Sequence, residues 1–203
     1  MSRILYLHGF ASGPGSSKAR HFQQRLPGIE IPDLAAGDFE HLTIGGQLRV
    51  VEDRARGGPV SLIGSSMGGY LAALYAARHA EAERLVLLAP AFAFARRWPE
   101  RLGRAAVEEW RRTGAMEMFH YAENRPRRVW YGLLEEAAGY EDFPDFRQPA
   151  LIFHGEHDDV VPAALSREFA ASYPNASLEV LDSGHELLNV LDYITPKVAG
   201  FLR

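Results

Sequence analysis

Val60-Ser61-Leu62-Ile63-Gly64-Ser65-Ser66-Met67-Gly68-Gly69-Tyr70-Leu71-Ala72-Ala73-Leu74-Tyr75-Ala76-Ala77 is the stretch on which the reading of this chain turns. An apolar run ends at a glycine, passes a pair of serines and a second glycine, and continues as an alanine- and leucine-rich segment of helical character. That is a strand, a sharp turn and a helix. Glycines two before and two after Ser66 let the strand and the helix approach closely, so that the serine hydroxyl stands above the sheet edge as a nucleophile. The following helix aims its free N–H groups and positive dipole end at the same point. Ser65 does not fit that role, because Ile63 and Met67 flank it instead of glycines.

Working outward, short β-branched or leucine-rich runs alternate with amphipathic stretches, the pattern of a parallel sheet covered on both faces by helices. Strands are predicted over residues 3–7, 28–31, 59–63, 84–89, 150–154 and 177–181. Helices are predicted over 17–26, 45–55, 69–78, 162–173 and about 187–202. The last repeats apolar residues at Leu187, Leu191, Ile194, Val198 and Phe201, with Pro196 as a kink point. The sheet is therefore expected to be mainly parallel, of about six strands, in one domain over residues 1–203. The 58 residues from Ala91 to Gln148 exceed what a single crossover needs and read as an inserted helical lid. That segment holds all three tryptophans, Trp98, Trp110 and Trp130. Between Arg96 and Arg128 it carries nine arginines and five glutamates, a net +4 in a chain whose total is −4. The arginines read either as a solvated face or as a charge-recognition surface; the aromatics read either as packing or as a substrate wall.

Composition removes several classes of function. At 203 residues, 47% hydrophobic, the chain has enough material for one sizeable core. It contains no cysteine, which excludes disulfides, thiolate metal sites and a cysteine nucleophile and suits a cytoplasmic setting. The apolar stretch after Met1 and Ser2 is too short for a signal peptide, and no apolar run reaches membrane-spanning length. Net negative charge argues against nucleic acid as a partner. No metal-ligand spacing such as His-Glu-X-X-His occurs, so no metal is expected, and a serine nucleophile with a base and an acid requires no other cofactor. Gly13-Pro14-Gly15-Ser16-Ser17-Lys18 lacks the ending of a phosphate-binding loop and reads as a turn into a capped helix.

A serine hydroxyl is nearly inert at neutral pH and needs a base and an orienting acid. After the strand at 150–154 comes Gly155-Glu156-His157-Asp158-Asp159-Val160-Val161-Pro162, and after the next strand Asp182-Ser183-Gly184-His185. Both loops follow the C-terminal ends of strands, where the sites of parallel α/β sheets form. Asp158 is the acid favoured by its spacing to Gly155 and Pro162, with Asp159 as the alternative. His185 is the base, in competition with His154 and His157. A second oxyanion donor is expected from Leu7-His8-Gly9-Phe10: the backbone N–H of Phe10, paired with that of Met67. Loss of one such donor typically costs ~3 kcal/mol of barrier lowering. His8 is read as structural, tying that loop down.

His-Gly-X near the start, Gly-X-Ser-X-Gly, Gly-X-X-Asp-X-X-Val-Pro and a late Gly-His occur in the order of the α/β-hydrolase superfamily, which this chain resembles over most of its length. Tyr6-Leu7-His8-Gly9-Phe10 with Ser16-Ser17-Lys18-Ala19 is similar to the small YqiA-like esterases. The resemblance implies an α/β-hydrolase fold, a Ser66–His185–Asp158 triad and hydrolysis of carboxylic esters through an acyl-enzyme. The aromatic lid is similar to those of small acyl-thioesterases and lipid-type hydrolases, which makes a thioester the alternative substrate. A non-catalytic ligand receptor on the same fold is the alternative of another class.

Overall fold

The computed structural model describes residues 3–56 and 58–203. Met1 and Ser2, which open the stretch read above for a leader, lie outside the described residues, as does Gly57.

Six strands form one parallel sheet: β1 (Arg3–Leu7), β2 (Ile29–Glu30), β3 (Val60–Ser65), β4 (Ala82–Leu88), β7 (Ala150–Gly155) and β8 (Ala176–Leu181), in the order β2-β1-β3-β4-β7-β8. Between β4 and β7 the chain makes β5 (Ala115–His120) and β6 (Arg125–Trp130), an antiparallel hairpin of its own. The principal helices are α1 (Ser17–Arg25), α2 (Ile44–Ala55), α3 (Met67–Ala76), α4 (Phe94–Leu102), α5 (Arg104–Thr113), α6 (Gly132–Ala137), α7 (Ala163–Ser172) and α8 (Leu191–Phe201).

Side chains alternate across the sheet with the strand period of two, and this splits the core into two layers. Leu5, Leu7, Leu62, Leu85, Leu87 and Ile152 face one way, onto α2, α3 and the buried face of the β4–β7 segment. Tyr6, Ile63, Val86, Leu88 and Phe153 face the other way, onto Phe22 of α1 and Leu191, Ile194 and Val198 of α8. Every residue of α3 is buried, which explains why its sequence shows no polar face. This is the predicted sheet with helices on both faces.

Two local differences from the sequence reading have clear causes. The final helix starts at Leu191 and not at Leu187, because Leu187 takes a left-handed conformation (φ 55°) and a 3-10 turn, Leu188–Val190, intervenes. Asn189 in that turn is committed elsewhere: its Nδ2 donates to Asp182 O at 2.9 Å and its Oδ1 accepts from the Ser183 hydroxyl. The β4–β7 segment contains helices α4, α5 and α6 as expected, but also the β5–β6 hairpin. The hairpin is held at its base by Trp130 N–H to Glu40 O (2.9 Å) and at its tip by Tyr121 N–H to Ala11 O (2.8 Å). Both strands are short and mostly only partly buried or exposed, which leaves little periodic signal.

Candidate active site

Ser66 stands between β3 and α3 with φ 54° and ψ −117°, a left-handed backbone that a non-glycine residue adopts only when its surroundings impose it. The flanking glycines are what make the imposition tolerable. A methyl group on Gly64 would overlap the Gly68 carbonyl, and one on Gly68 would overlap the Leu7 carbonyl of β1. The turn is pinned by Ser66 N–H to Leu88 O (2.9 Å), Gly69 N–H to Ser66 O (2.9 Å) and Ala91 N–H to Ser66 O (3.0 Å). Ser66 itself is half-buried, and its hydroxyl makes no hydrogen bond among the described residues.

The loop after β7 carries Asp158, whose side chain is fully buried. Its Oδ1 accepts backbone N–H bonds from Val160 (2.9 Å) and Val161 (2.7 Å). Its Oδ2 accepts from His185 Nδ1 at 2.7 Å and lies 3.1 Å from His154 Nε2. Burial by itself would raise the carboxyl's pKa, but the hydrogen bonds from His154 and His185 and the His185 charge together hold it well below the usual range. The carboxylate is therefore ionised at any physiological pH. With Nδ1 donating to Asp158, the Nε2 of His185 is left as the acceptor face of the ring. Asp159, by contrast, is exposed, and His157 pairs with Asp182 on the surface at 3.0 Å. Of the alternatives held open in the sequence, the structure joins Asp158 to His185. It does not join His185 to Ser66 by a hydrogen bond, an arrangement common before substrate binds.

His154, named in the sequence only as a competitor of His185, is the penultimate residue of β7. It is fully buried, and it also braces the acid. Its Nε2 lies 2.8 Å from Val161 O and so carries the proton, while Nδ1 meets Ser166 Oγ at 2.7 Å. Nothing in its sequence context marks this role, since the contacts are made by the turn that follows.

Gly9 and Phe10 follow β1 and lie against the elbow: a methyl on Gly9 would sit 3.4 Å from Ser66 Cβ. His8 is buried, and its Nε2 accepts the Leu34 N–H (3.2 Å), so Nδ1 donates to Gly9 O (3.1 Å). Burial keeps the ring's pKa below its ordinary value. It thus holds the Gly9–Phe10 turn in the manner expected. Met67 opens α3, so its N–H has no acceptor within the helix. The Phe10 ring is enclosed by Phe39 (5.5 Å between centroids) and, edge-on, by Trp98 of α4 (6.0 Å).

A second polar group lies beside the loop that carries His185. Lys18 is buried, and its Nζ lies 3.4 Å from Oε2 of Glu186, the residue after His185. Burial lowers the ammonium pKa, opposed by the Glu186 charge. Burial raises the pKa of the Tyr6 hydroxyl, opposed by the neighbouring Ser65 and Ser16 side chains. Lys18 falls within the N-terminal segment quoted above, which is the one sequence signal for it.

The tryptophans divide. Trp110 is buried and donates to Val129 O at 2.9 Å, Trp98 packs against both Phe94 and Trp110, and Trp130 is 44% exposed. Packing is thus the chief role of the first two.

A model described as an uncharacterised protein family (UPF0227) matches residues 3–202. No curated protein matches the sequence. Among solved structures, the chain is similar to the mouse alpha/beta hydrolase domain-containing protein 10 (19% identity, TM-score 0.79, covering 98% of this chain and 88% of that one). It is also similar to Est1E from Butyrivibrio proteoclasticus (22%, TM-score 0.72, 99% and 86%). A third is a monoacylglycerol lipase from Paleococcus ferrophilus (14%, TM-score 0.76, 98% and 93%). At such identities the likeness is one of fold, and the fold is that of the α/β-hydrolases.

Proposed function

The chain belongs to the UPF0227 family, with an α/β-hydrolase fold, and from that premise we propose that it is a serine hydrolase of carboxylic esters, a single domain whose β4–β7 insertion borders the substrate cleft. The observation that carries the reading is the buried Asp158 carboxylate bonded at 2.7 Å to His185 Nδ1, on the same sheet edge as the strained Ser66 turn. In this reading His185 Nε2 takes the Ser66 proton as Oγ attacks the acyl carbon. Asp158 accepts the Nδ1–H throughout and stabilises the imidazolium. The backbone N–H groups of Phe10 and Met67 receive the oxyanion. The imidazolium returns its proton to the leaving alcohol, and water then releases the acid by the same steps in reverse. The chain's own residues suffice for each step, so no cofactor is invoked. The same proposal takes small acyl esters as partners, with no nucleic acid, and the cytoplasm as the setting; the net negative charge supports the exclusion of nucleic acid and the absence of cysteine suits a reducing compartment. No helix among the described residues is long and apolar enough to cross a membrane.

A thioester is the second substrate class, cleaved by the same groups. A coenzyme A carrier attracted by Arg127 and Arg128 has little support, because Arg127 is paired with Glu123 and Arg128 with Glu40. The test is covalent labelling by a fluorophosphonate together with a panel of p-nitrophenyl esters and acyl-CoA thioesters of graded length. Wild type is expected to label and to turn over esters; Ser66→Ala is expected to lose both, with a fall in rate on the order of 10³-fold or more. Labelling and turnover that persist in Ser66→Ala would sink the proposal by placing the nucleophile elsewhere; a wild type inert to every substrate and to the probe would sink it in favour of a receptor.

A further inference from the structure

The insertion arginines are not equivalent. Arg96 pairs with Asp142 at 2.8 Å, Arg112 with Glu109 at 2.6 Å, Arg125 and Arg127 with Glu123, and Arg128 with Glu40 at 3.5 Å. Arg97 is different. It is half-buried, in the first turns of α4, and no carboxylate is in ion-pair contact with it among the described residues. One guanidinium nitrogen donates to Val160 O, two residues past Asp158, leaving the rest of a five-donor fork uncommitted. Burial works against its charge, Arg101 adds repulsion, and Asp158 partly offsets both.

Its place in the fold gives this group a direction. The chain leading into α4 is anchored on the elbow by Ala91 N–H to Ser66 O. The next residue, Trp98, stands edge-on over Phe10 of the oxyanion turn. The same helical turn therefore touches the acid loop through Arg97 and the oxyanion loop through Trp98. A half-buried guanidinium in that position, with a backbone carbonyl as its only hydrogen-bond partner among the described residues, is a costly arrangement unless an anion completes it. We propose that Arg97 is a specificity residue that receives a carboxylate carried by the substrate, so that the site selects esters bearing a free acid on the acyl chain. This rests on the serine-hydrolase reading above. Guanidinium and carboxylate are matched in shape, and a bidentate pair at a partly dry rim discriminates well against the neutral analogue.

The experiment compares monoethyl and diethyl esters of succinate, glutarate and adipate by ethanol release. Wild type is expected to show a higher kcat/KM for the monoanion at one of the three lengths, weakened by added salt. In Arg97→Gln the ratio of monoester to diester kcat/KM is expected to fall by about 10-fold or more, chiefly through KM. Arg97→Lys is expected to recover part of it, and Arg128→Gln on the hairpin to leave the ratio where it was. A ratio unchanged in Arg97→Gln, with both substrates declining together, would reduce Arg97 to a brace on the acid loop and overturn the proposal. So would a wild type that prefers the diester at every length. Loss of all turnover and of fluorophosphonate labelling in wild type is a separate result, and it strikes at the hydrolase reading instead.

Discussion

At the scale of single residues, Asp158 shows how one carboxylate is held ionised without solvent. Four nitrogens converge on its two oxygens: two backbone N–H groups on Oδ1, and His185 and His154 on Oδ2. Removing one of them has two separable effects. His154→Leu strands the Val161 carbonyl and the Ser166 hydroxyl in a buried site, at about 1–3 kcal/mol for each unsatisfied group. It also loosens the carboxylate that orients His185. Hydrolysis is expected to drop by roughly 10-fold in kcat, and thermal unfolding is expected to shift downward. His154→Gln keeps a donor near the position of Nε2 and is expected to recover part of the rate. A rate restored by Gln while the melting temperature stays depressed would separate positioning from simple stability; equal rates in Leu and Gln would argue against any role in orientation.

Among elements, the decisive contact is the approach of α3 to β1 and β3. The helix begins one residue after Ser66 and presses its first turn against the carbonyl of Leu7, so side-chain atoms there have no room. Gly68→Ala is expected to be destabilised by about 3 kcal/mol, measured by urea unfolding, because the obstacle is backbone in a central strand and cannot rotate away. If the variant were as stable as wild type, α3 and β1 would have to be separable by a slight shift, and the close approach would not be what fixes the serine's backbone. The hairpin β5–β6 is the looser counterpart. It is fastened to the body at Ala11 and Glu40, and its exposed Phe119 and Tyr121 sit near the tip. Its arginines are paired, Arg125 and Arg127 with Glu123 and Arg128 with Glu40, so the exposed arginines of this region without an ion-pair partner among the described residues lie on α4 and α5 and not on the hairpin.

For the molecule as a whole, burial of neutral histidine ties stability to pH. Burial lowers the pKa of His8, opposed by its bond to Gly9 O, and that of His120, opposed by the Glu123 charge. Each native ring thus takes up a proton at lower pH than the unfolded chain does, whose histidines titrate near 6.5. The stability these rings contribute is complete above that value and is lost as pH falls through the native values. Asp158 adds a second decline of the same sign, beginning below the unfolded carboxyl value of 3.8 and continuing to lower pH. Urea unfolding at pH 7.5, 6.0 and 5.0 is expected to show a falling free energy, flattened in the His8→Gln, His120→Gln double variant. A profile level from 7.5 to 5.0 would mean that the buried rings are already solvated.

By itself the sequence determined the parallel sheet, the elbow at Gly64-Ser65-Ser66-Met67-Gly68 and the acid and histidine loops beyond β7 and β8, because each is written in local chemistry: apolar periodicity, paired glycines, loop residues at strand ends. It pointed to Asp158 over Asp159 by spacing alone. Only the tertiary structure decided that Asp158 meets both His185 and His154, that a left-handed Leu187 and a 3-10 turn delay the last helix, that a hairpin accompanies the insertion helices and that Arg97, half-buried, reaches the acid loop. Those facts depend on which atoms from distant segments share a few ångströms of low-dielectric space, and no window along the chain contains both partners.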